Sequence, residues 1–196
     1  MKRWLALLLL LPMTACGYNR IQSLDEAAAS AQSQIEVQLQ RRADLIPNLV
    51  NTVKGYAQHE EDVLTQVTQA RAGLLGAIQS HDAEQMANAN AQLSSTLGRL
   101  MVTVEAYPNL KADQSFLRLQ DELTGTENRI AVARNDYNQS VNAYNAYIRQ
   151  FPAVITAKVT GAKPRKYFTA TNAAESGPPT VDFSKPPAAA PATKNP

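Results

Sequence analysis

The residues best suited to chemistry are charged side chains in one stretch, residues 35–60. Two adjacent arginines, Arg41 and Arg42, are followed by Asp44, Pro47 and Glu60. Arginine pairs well with carboxylates and phosphates, so this set could form salt bridges within the protein or bind a partner. Apolar residues recur here every three or four positions, which predicts that the charges lie on a helix buried along one side.

The last long helix that the sequence predicts carries candidate partners for these charges. If the two long helices run antiparallel, position 41 lies near position 130, and Glu127, Arg129 and Arg134 come close to the first set. We favour a salt-bridge network that fixes the register of the helices, because such networks specify geometry more surely than they stabilise. The alternative hypothesis is a docking surface for a partner protein or lipid.

Residues suited to catalysis or metal binding are sparse. The two histidines, His59 and His81, lie at opposite ends of a predicted helix, roughly 30 Å apart by helix rise. The sequence has no HExxH motif, no Glu-x-x-His pair and no glycine-rich phosphate loop. We therefore predict a protein that is not an enzyme, with no catalytic residues, no metal site and no cofactor.

The charge balance argues against nucleic acid as a partner. The sequence carries 19 Lys and Arg against 17 Asp and Glu. Without Lys2 and Arg3, which lie in a predicted signal segment, basic and acidic residues are equal in number. A neutral chain has no general field that attracts nucleic acid.

The first fifteen residues have the layout of a secretory signal. Two basic residues precede an apolar run over 5–11, and small residues follow it. The run is shorter than the roughly 20 apolar residues that a membrane-spanning helix needs. Residues 1–15 are therefore predicted to be a signal peptide that is removed.

Cys16, the only cysteine, follows this segment directly. Met13-Thr14-Ala15-Cys16 resembles the bacterial lipobox, so the signal peptide is predicted to be of the lipoprotein type, with Cys16 acylated and bound to the membrane. The predicted location is the bacterial cell envelope, facing the periplasm. Glycine at position 17 favours the outer membrane over the inner membrane, because aspartate there usually retains lipoproteins in the inner one.

Four helices are predicted, over residues 18–57, 60–79, 83–105 and 112–151. Short turns join them, which indicates an all-α fold spanning 16–152: an elongated antiparallel up-down-up-down four-helix bundle with two long and two short helices. The short helices cover only part of the long pair. The end nearer Cys16 is therefore predicted to be a two-helix stalk.

Pro47 lies inside the first predicted helix and removes a backbone hydrogen bond to the carbonyl of Ala43. Either the helix continues with a kink, or it ends near Ala43 and restarts with Asp44 as its N-cap. The apolar stripe keeps its phase across the proline, so a single helix kinked at Pro47 is favoured.

Beyond Pro152 the helical period is lost. Residues 153–183 are predicted to be an extended closing segment, and residues 184–196 a disordered tail rich in proline and alanine. A basic and aromatic cluster in the extended segment could contact lipid headgroups, although packing along the stalk is favoured. The cluster consists of Lys163, Arg165, Lys166, Tyr167 and Phe168.

Residues 37–60 also resemble the signature of the LemA family. The matching residues there include Arg41-Arg42, Asp44-Leu45-Ile46-Pro47-Asn48-Leu49-Val50, Lys54-Gly55-Tyr56 and His59-Glu60. Further matches are Ala70-Arg71, Glu127-Asn128-Arg129-Ile130, Ala133-Arg134, Tyr137-Asn138 and Val181-Asp182-Phe183. The resemblance covers about residues 18–183.

This resemblance implies an antiparallel helical bundle tethered to a bacterial membrane, with no established catalytic activity. It links relatives to membrane remodelling, including magnetosome formation. Members typically carry one N-terminal transmembrane helix, whereas this sequence has a predicted lipid anchor.

We therefore predict a lipoprotein-type member of the family, acting as a non-enzymatic scaffold or adaptor in the envelope with an unknown envelope protein as partner. The alternatives are a self-assembling structural spacer or membrane-shaping protein, which would be a homo-oligomer, and a small-molecule carrier.

Overall fold

The computed structural model describes residues 2–57 and 59–170, with side chains from Gly17 onward. Among these residues the regular secondary structure is helix alone, which confirms the all-α part of the predicted fold class. The helices are α1 (Lys2–Lys54), α2 (Glu61–Ser80), α3 (Ala83–Val104), α4 (Pro108–Lys111), α5 (Gln114–Tyr147) and α6 (Ala153–Thr160).

α1 is a single helix that continues through Pro47, so the alternative with a break after Ala43 is wrong. It begins at Lys2, whereas the sequence predicted a start at position 18. The leucines and alanines of the N-terminal segment have high helix propensity, which explains the earlier start. The helix ends at Lys54, although Ala57 beyond it is still buried.

α5 runs antiparallel to α1. Tyr56, just beyond α1, bonds to Asp113 at the start of α5, while Ile21 packs with Tyr144 and Ile148 at the other end of α5. The helix begins where the Asp113 carboxylate accepts hydrogen bonds from two backbone N–H groups of the first turn. α1 and α5 therefore form the long pair of the fold.

The C-terminal end of α5 differs from the prediction. The fourth helix was predicted to continue to residue 151, but α5 ends at Tyr147. Phe151 therefore no longer follows the helical period and is 80% exposed. Ile148, just beyond α5, is buried against Ile21 and Tyr144.

α2 and α3 pack on each other and against the C-terminal half of α1. Asp82 forms the N-cap of α3, accepting from the backbone N–H groups of Glu84 and Gln85. The buried apolar residues of α2 and α3 join those of α1 and α5 in one cluster that extends from Ala28 to Phe168.

The four-helix up-down-up-down arrangement stays a prediction.

The prediction that residues 153–183 are extended is wrong over Ala153–Thr160, which form α6. Ala153 and Ala157 are buried, α6 packs on α1, and Gly161 ends the helix in the left-handed conformation at φ 73°. The free energy of this packing exceeds the small helix penalty of the β-branched residues. Residues 162–170 follow without helix, and the predictions for 171–183 and 184–196 lie outside the described residues.

Candidate functional site

Arg42 lies in the C-terminal half of α1 and joins three helices. It is 4% exposed, and its guanidinium donates to Asn90 Oδ1 at 2.6 Å and Ser94 Oγ at 3.0 Å, both on α3. The same guanidinium forms an ion pair with Glu127 on α5. A planar group with five donors can bond in several directions at once, which suits arginine to such a junction.

Burial is the main influence on the pKa of Arg42. Desolvation lowers the pKa of the guanidinium, and the Glu127 carboxylate opposes this by favouring the charged form. The Nε atom is buried without a hydrogen-bond partner among the described residues. The position of this side chain is thus determined by Asn90, Ser94 and Glu127, and removing any of them leaves a buried cation less well compensated.

An arginine from another helix compensates for the hydrogen bond that Pro47 removes, and no role was predicted for it from the sequence. The carbonyl of Ala43 would normally accept from the backbone N–H of residue 47, which proline lacks. Arg71 on α2 donates its Nε–H to that carbonyl at 2.8 Å. An arginine from the neighbouring helix thereby replaces the missing backbone hydrogen bond, and α1 continues without an unsatisfied carbonyl at this point.

The remaining residues of the predicted charge network lie apart from Arg42. Asp44 is exposed and accepts from Gln40 one turn earlier at 2.8 Å. Arg129 donates to Gln38 on α1 at 3.2 Å rather than to a carboxylate. The seven predicted residues therefore contain one ion pair, Arg42–Glu127, within the described part of the chain.

Arg41 and Arg134 are both exposed, with no side-chain hydrogen bond or ion pair among the described residues. Glu60 lies near the turn between α1 and α2, where it accepts from the hydroxyl of Tyr107 at 2.9 Å. This hydrogen bond raises the pKa of the tyrosine. All three residues fall outside the junction at Arg42. Arg41 does so because neighbouring positions on a helix point in different directions, and Glu60 does so because it lies beyond the end of α1.

Asp113 and Asp82 connect helix starts to distant parts of the chain. The backbone N–H of Phe116 and the hydroxyl of Tyr56 hold the pKa of Asp113 below its ordinary value. The ammonium of Lys166 and the N–H of Gln85 do the same for Asp82. Both carboxylates are therefore stabilised in their ionised form in the folded protein.

We expect the protein to lose stability as the pH falls below about 4. Because these folded-state pKa values lie below the ordinary value of 3.8, the stabilisation is complete above that value and is lost as the pH falls through the folded-state values. Urea midpoints measured at decreasing pH test this, with Asp113→Asn expected to show a smaller decrease than the wild type. Asp121→Asn, an exposed position on α5, is the control, and identical pH profiles for all three proteins would contradict the expectation.

The segment after α6 is bound to α5 by its backbone. Asn145 accepts from the N–H of Arg165 at 2.8 Å and donates to its carbonyl at 2.9 Å, and Asn138 forms the same pair of bonds with Phe168. The hydroxyl of Tyr137 donates to the carbonyl of Lys166 at 2.8 Å. These asparagines lie seven residues apart on one side of α5, a spacing that was visible in the sequence.

Most of the predicted lipid-contacting cluster is occupied by contacts within the protein. Phe168 is buried, Arg165 pairs with Asp25 at 2.7 Å, and Lys166 pairs with Asp82 at 2.8 Å. The bond to Asp25 raises the pKa of Arg165. These three residues therefore pack against the rest of the protein, which was the favoured alternative to lipid contact, whereas Lys163 is exposed.

Sequence reasoning missed Arg71 as the donor to Ala43, and Asn90 and Ser94 as partners of Arg42. A signal existed for Arg71, because a proline inside a helix leaves one carbonyl that needs a donor. No signal of this kind pointed to Asn90 and Ser94, since polar residues are common on helix surfaces.

The described residues contain no group of three His, Cys, Asp or Glu side chains placed to hold a metal ion. None of their helices is both long and apolar enough to cross a membrane.

Comparisons with known proteins identify the family. The model of the LemA family matches residues 31–183. Magnetosome protein MamQ 2 of Paramagnetospirillum magneticum is 30% identical over 176 residues, covering 77% of this chain and 64% of the relative. Magnetosome protein MamQ of Magnetospirillum gryphiswaldense is 29% identical over 174 residues, with the same coverage.

Protein LemA of Metamycoplasma hominis is 27% identical over 133 residues, covering 68% of this chain and 60% of the relative. The chain spans less than two thirds of the length of these relatives. The family model matches well over half of the chain, and it includes Arg42, Pro47, Arg71 and Glu127. The chain belongs to the LemA family.

Proposed function

We propose that this protein is a non-enzymatic, lipid-anchored scaffold or adaptor of the bacterial cell envelope. The observation that carries the proposal is the position of Cys16 relative to the folded body. Packing begins at the very next residue, so lipids on Cys16 would be attached without a flexible linker.

Gly17 and Ile21 provide the evidence for this packing. Gly17 is buried, and a Cβ atom at this position would lie 3.4 Å from the hydroxyl oxygen of Thr156 on α6. Ile21 is 1% exposed and packs with Tyr144, Ile148 and Ala157. Acyl chains on Cys16 would therefore hold the end of the fold formed by α1, α5 and α6 against the bilayer.

This attachment gives the rest of the fold a defined direction. From Gly17 to Lys54, α1 rises roughly 55 Å, at 1.5 Å per residue. An antiparallel α5 and the bonds at Arg42 and Arg71 stiffen this length. A stiff body that stands on a membrane suits a scaffold or adaptor, whose partner binds at a fixed distance from the lipid.

The proposed location follows the sequence argument, with the body facing the periplasm and glycine at position 17 favouring the outer membrane. The MamQ relatives are named as magnetosome proteins. The family resemblance connects that name to membrane remodelling, so membrane organisation is the process that we propose. The proposed partner is a second envelope protein.

Self-assembly is the second candidate, because α1 and α5 leave an open groove between them. The groove has a volume of about 720 Å³ and includes Ala27, Ala31, Val132 and Ala133 in its lining. Val132 is 61% exposed. Small apolar residues allow a second helix to approach closely. A small-molecule carrier has less support, since this groove is open and most of the buried apolar residues pack in one continuous cluster.

Replacing Cys16 tests the anchor. In a Gram-negative host, the wild type is expected to incorporate radiolabelled palmitate and float with the membrane fraction, whereas Cys16→Ser incorporates no label and keeps its signal peptide. The matched control, Cys16→Ser with Ser23→Cys, retains one cysteine outside the lipobox and is also expected to remain unlabelled. Labelling of this control, or normal processing of Cys16→Ser, would overturn the proposed anchor.

Chemical crosslinking of the acylated wild type in intact cells separates the two candidates. A crosslinked product containing a different envelope protein supports the adaptor, and that protein is then identified by mass spectrometry. Products whose masses are multiples of one chain support self-assembly instead.

A further inference from the structure

α6 exposes a row of large apolar side chains. Phe151, Ile155 and Val159 are 80%, 53% and 82% exposed. Ile155 and Val159 are spaced by four residues and lie one turn apart on α6, and Phe151 lies in the turn just before this helix. Ala153 and Ala157 on the opposite side of α6 are buried. α6 is thus apolar on its solvent side as well as on its packed side.

The row lies at the end of the fold that contains residue 17. Thr156, between Ile155 and Ala157, approaches Gly17, and Ala157 packs with Ile21. Tyr18, which is 44% exposed, belongs to the same end of α1. Exposed apolar side chains are therefore concentrated next to the proposed anchor.

The charged residues of α6 and of the segments on either side of it in the sequence have one sign. From position 137 to position 174 the sequence contains no Asp or Glu. The same stretch contains Arg149, Lys158, Lys163, Arg165 and Lys166. Arg165 and Lys166 pair with carboxylates elsewhere, whereas Arg149, Lys158 and Lys163 are exposed and form no ion pair among the described residues.

We propose that this surface, termed the α6 face and consisting of Phe151, Ile155, Val159, Arg149, Lys158 and Lys163, binds the bilayer directly. The apolar row enters the boundary between headgroups and acyl chains, and the three cations contact anionic headgroups. Apolar insertion combined with electrostatic attraction is the usual mode of binding for helices that lie on a membrane surface. Each cation near an anionic surface adds about 1 kcal/mol of attraction.

A bilayer fits the α6 face better than a second copy of the chain does. A symmetric dimer through this face would bring three cations against three cations, with no Asp or Glu in residues 137–174 to compensate. The inference rests on the proposed membrane attachment and adds to it a second contact that also fixes the orientation of the body.

Depth-dependent fluorescence in vesicles tests the α6 face. In the acylated full-length protein, Val159→Cys carries a free thiol to which an environment-sensitive fluorophore is attached. Val102→Cys, at a 74% exposed position on α3, is the matched control. In vesicles containing phosphatidylglycerol and spin-labelled lipid, quenching at position 159 is expected to exceed that at position 102 by about twofold or more.

Two variants of the labelled protein separate the contributions of the surface. Lys158→Glu with Lys163→Glu is expected to reduce the quenching at position 159 in phosphatidylglycerol vesicles. Phe151→Ser with Ile155→Ser is expected to reduce it in vesicles of any lipid composition. Circular dichroism of each variant verifies that the helices are intact.

The outcomes separate this inference from the proposed anchor. If the wild type, with no introduced cysteine, takes up the fluorophore at Cys16 and does not float with vesicles, the anchor fails. If the protein floats but positions 102 and 159 are quenched equally, the α6 face does not bind the bilayer. Disulfide-linked dimers of Val159→Cys without quenching would show that a second copy covers the face, which also overturns the inference.

Discussion

Replacing Arg42 with alanine is expected to lower the free energy of unfolding by about 3 kcal/mol. The change removes two hydrogen bonds to α3, which are made by a charged donor, together with the ion pair to Glu127. It also leaves the buried side chain of Asn90 without its partner and creates a cavity between α1, α3 and α5. Urea unfolding of the full-length protein in detergent, followed by circular dichroism, measures the loss.

One further variant shows whether the lost charge or the lost volume causes the destabilisation, and a second serves as a control. Arg42→Met fills most of the cavity without a buried cation, so it is expected to be less destabilising than Arg42→Ala. Arg41→Ala changes the adjacent, exposed arginine and is expected to alter stability by less than about 0.5 kcal/mol. Equal stability of Arg41→Ala and Arg42→Ala would contradict a structural role for Arg42. Folding would then be intact, and the hypothesis of a docking surface would be favoured.

Replacing Arg71 with alanine is expected to cost about 1–3 kcal/mol, because the carbonyl of Ala43 then has no donor in a part-buried position. Arg134→Ala, at an exposed position without a side-chain bond among the described residues, is the matched control and is expected to cost less than about 0.5 kcal/mol. Hydrogen exchange should show faster exchange of amides around position 43 in Arg71→Ala than in the control.

Pro47→Ala provides the decisive comparison for Arg71. Alanine restores a backbone N–H that can donate to the carbonyl of Ala43, so the loss caused by Arg71→Ala should be smaller in the Pro47→Ala background. A double-mutant cycle measures this coupling, and we expect about 1 kcal/mol. Strictly additive losses would mean that Arg71 stabilises the protein in a way unrelated to the proline.

The sequence predicted the buried side of α1 well, because apolar spacing reports directly on which residues face the core. Ile35, Leu39 and Ile46 are buried as expected. Next to Pro47, apolar residues stand at both 49 and 50, and the structure buries Leu49 fully but Val50 only partly. Spacing alone cannot choose between adjacent apolar residues, since both lie close to the same side of a helix.

α6 could not be predicted in the same way. Its β-branched residues and its short length favoured an extended segment by propensity. The helix forms because Ala153 and Ala157 pack on α1, and that packing depends on where α5 ends. Contacts between residues far apart in the chain therefore decide local structure here, and a single sequence does not reveal them.

Arg42 illustrates how much of the candidate site could be predicted from the sequence. The antiparallel register correctly suggested Glu127 as its partner, because that estimate requires only helix rise and the direction of the two helices. The bonds to Asn90 and Ser94 depend on how α3 is rotated about its axis, which the sequence pattern defines less sharply. The same is true of Arg129, whose nearest partner is a glutamine.

The bond between Arg71 and Ala43 has a consequence for biosynthesis. A chain that emerges N-terminus first exposes α1 before α2, so the carbonyl of Ala43 lacks its donor until Arg71 has also emerged. Emerging α1 is therefore weakest next to Pro47 in the interval before α2 can dock. The hydrogen bonding of the longest helix is completed only when its neighbour is in place.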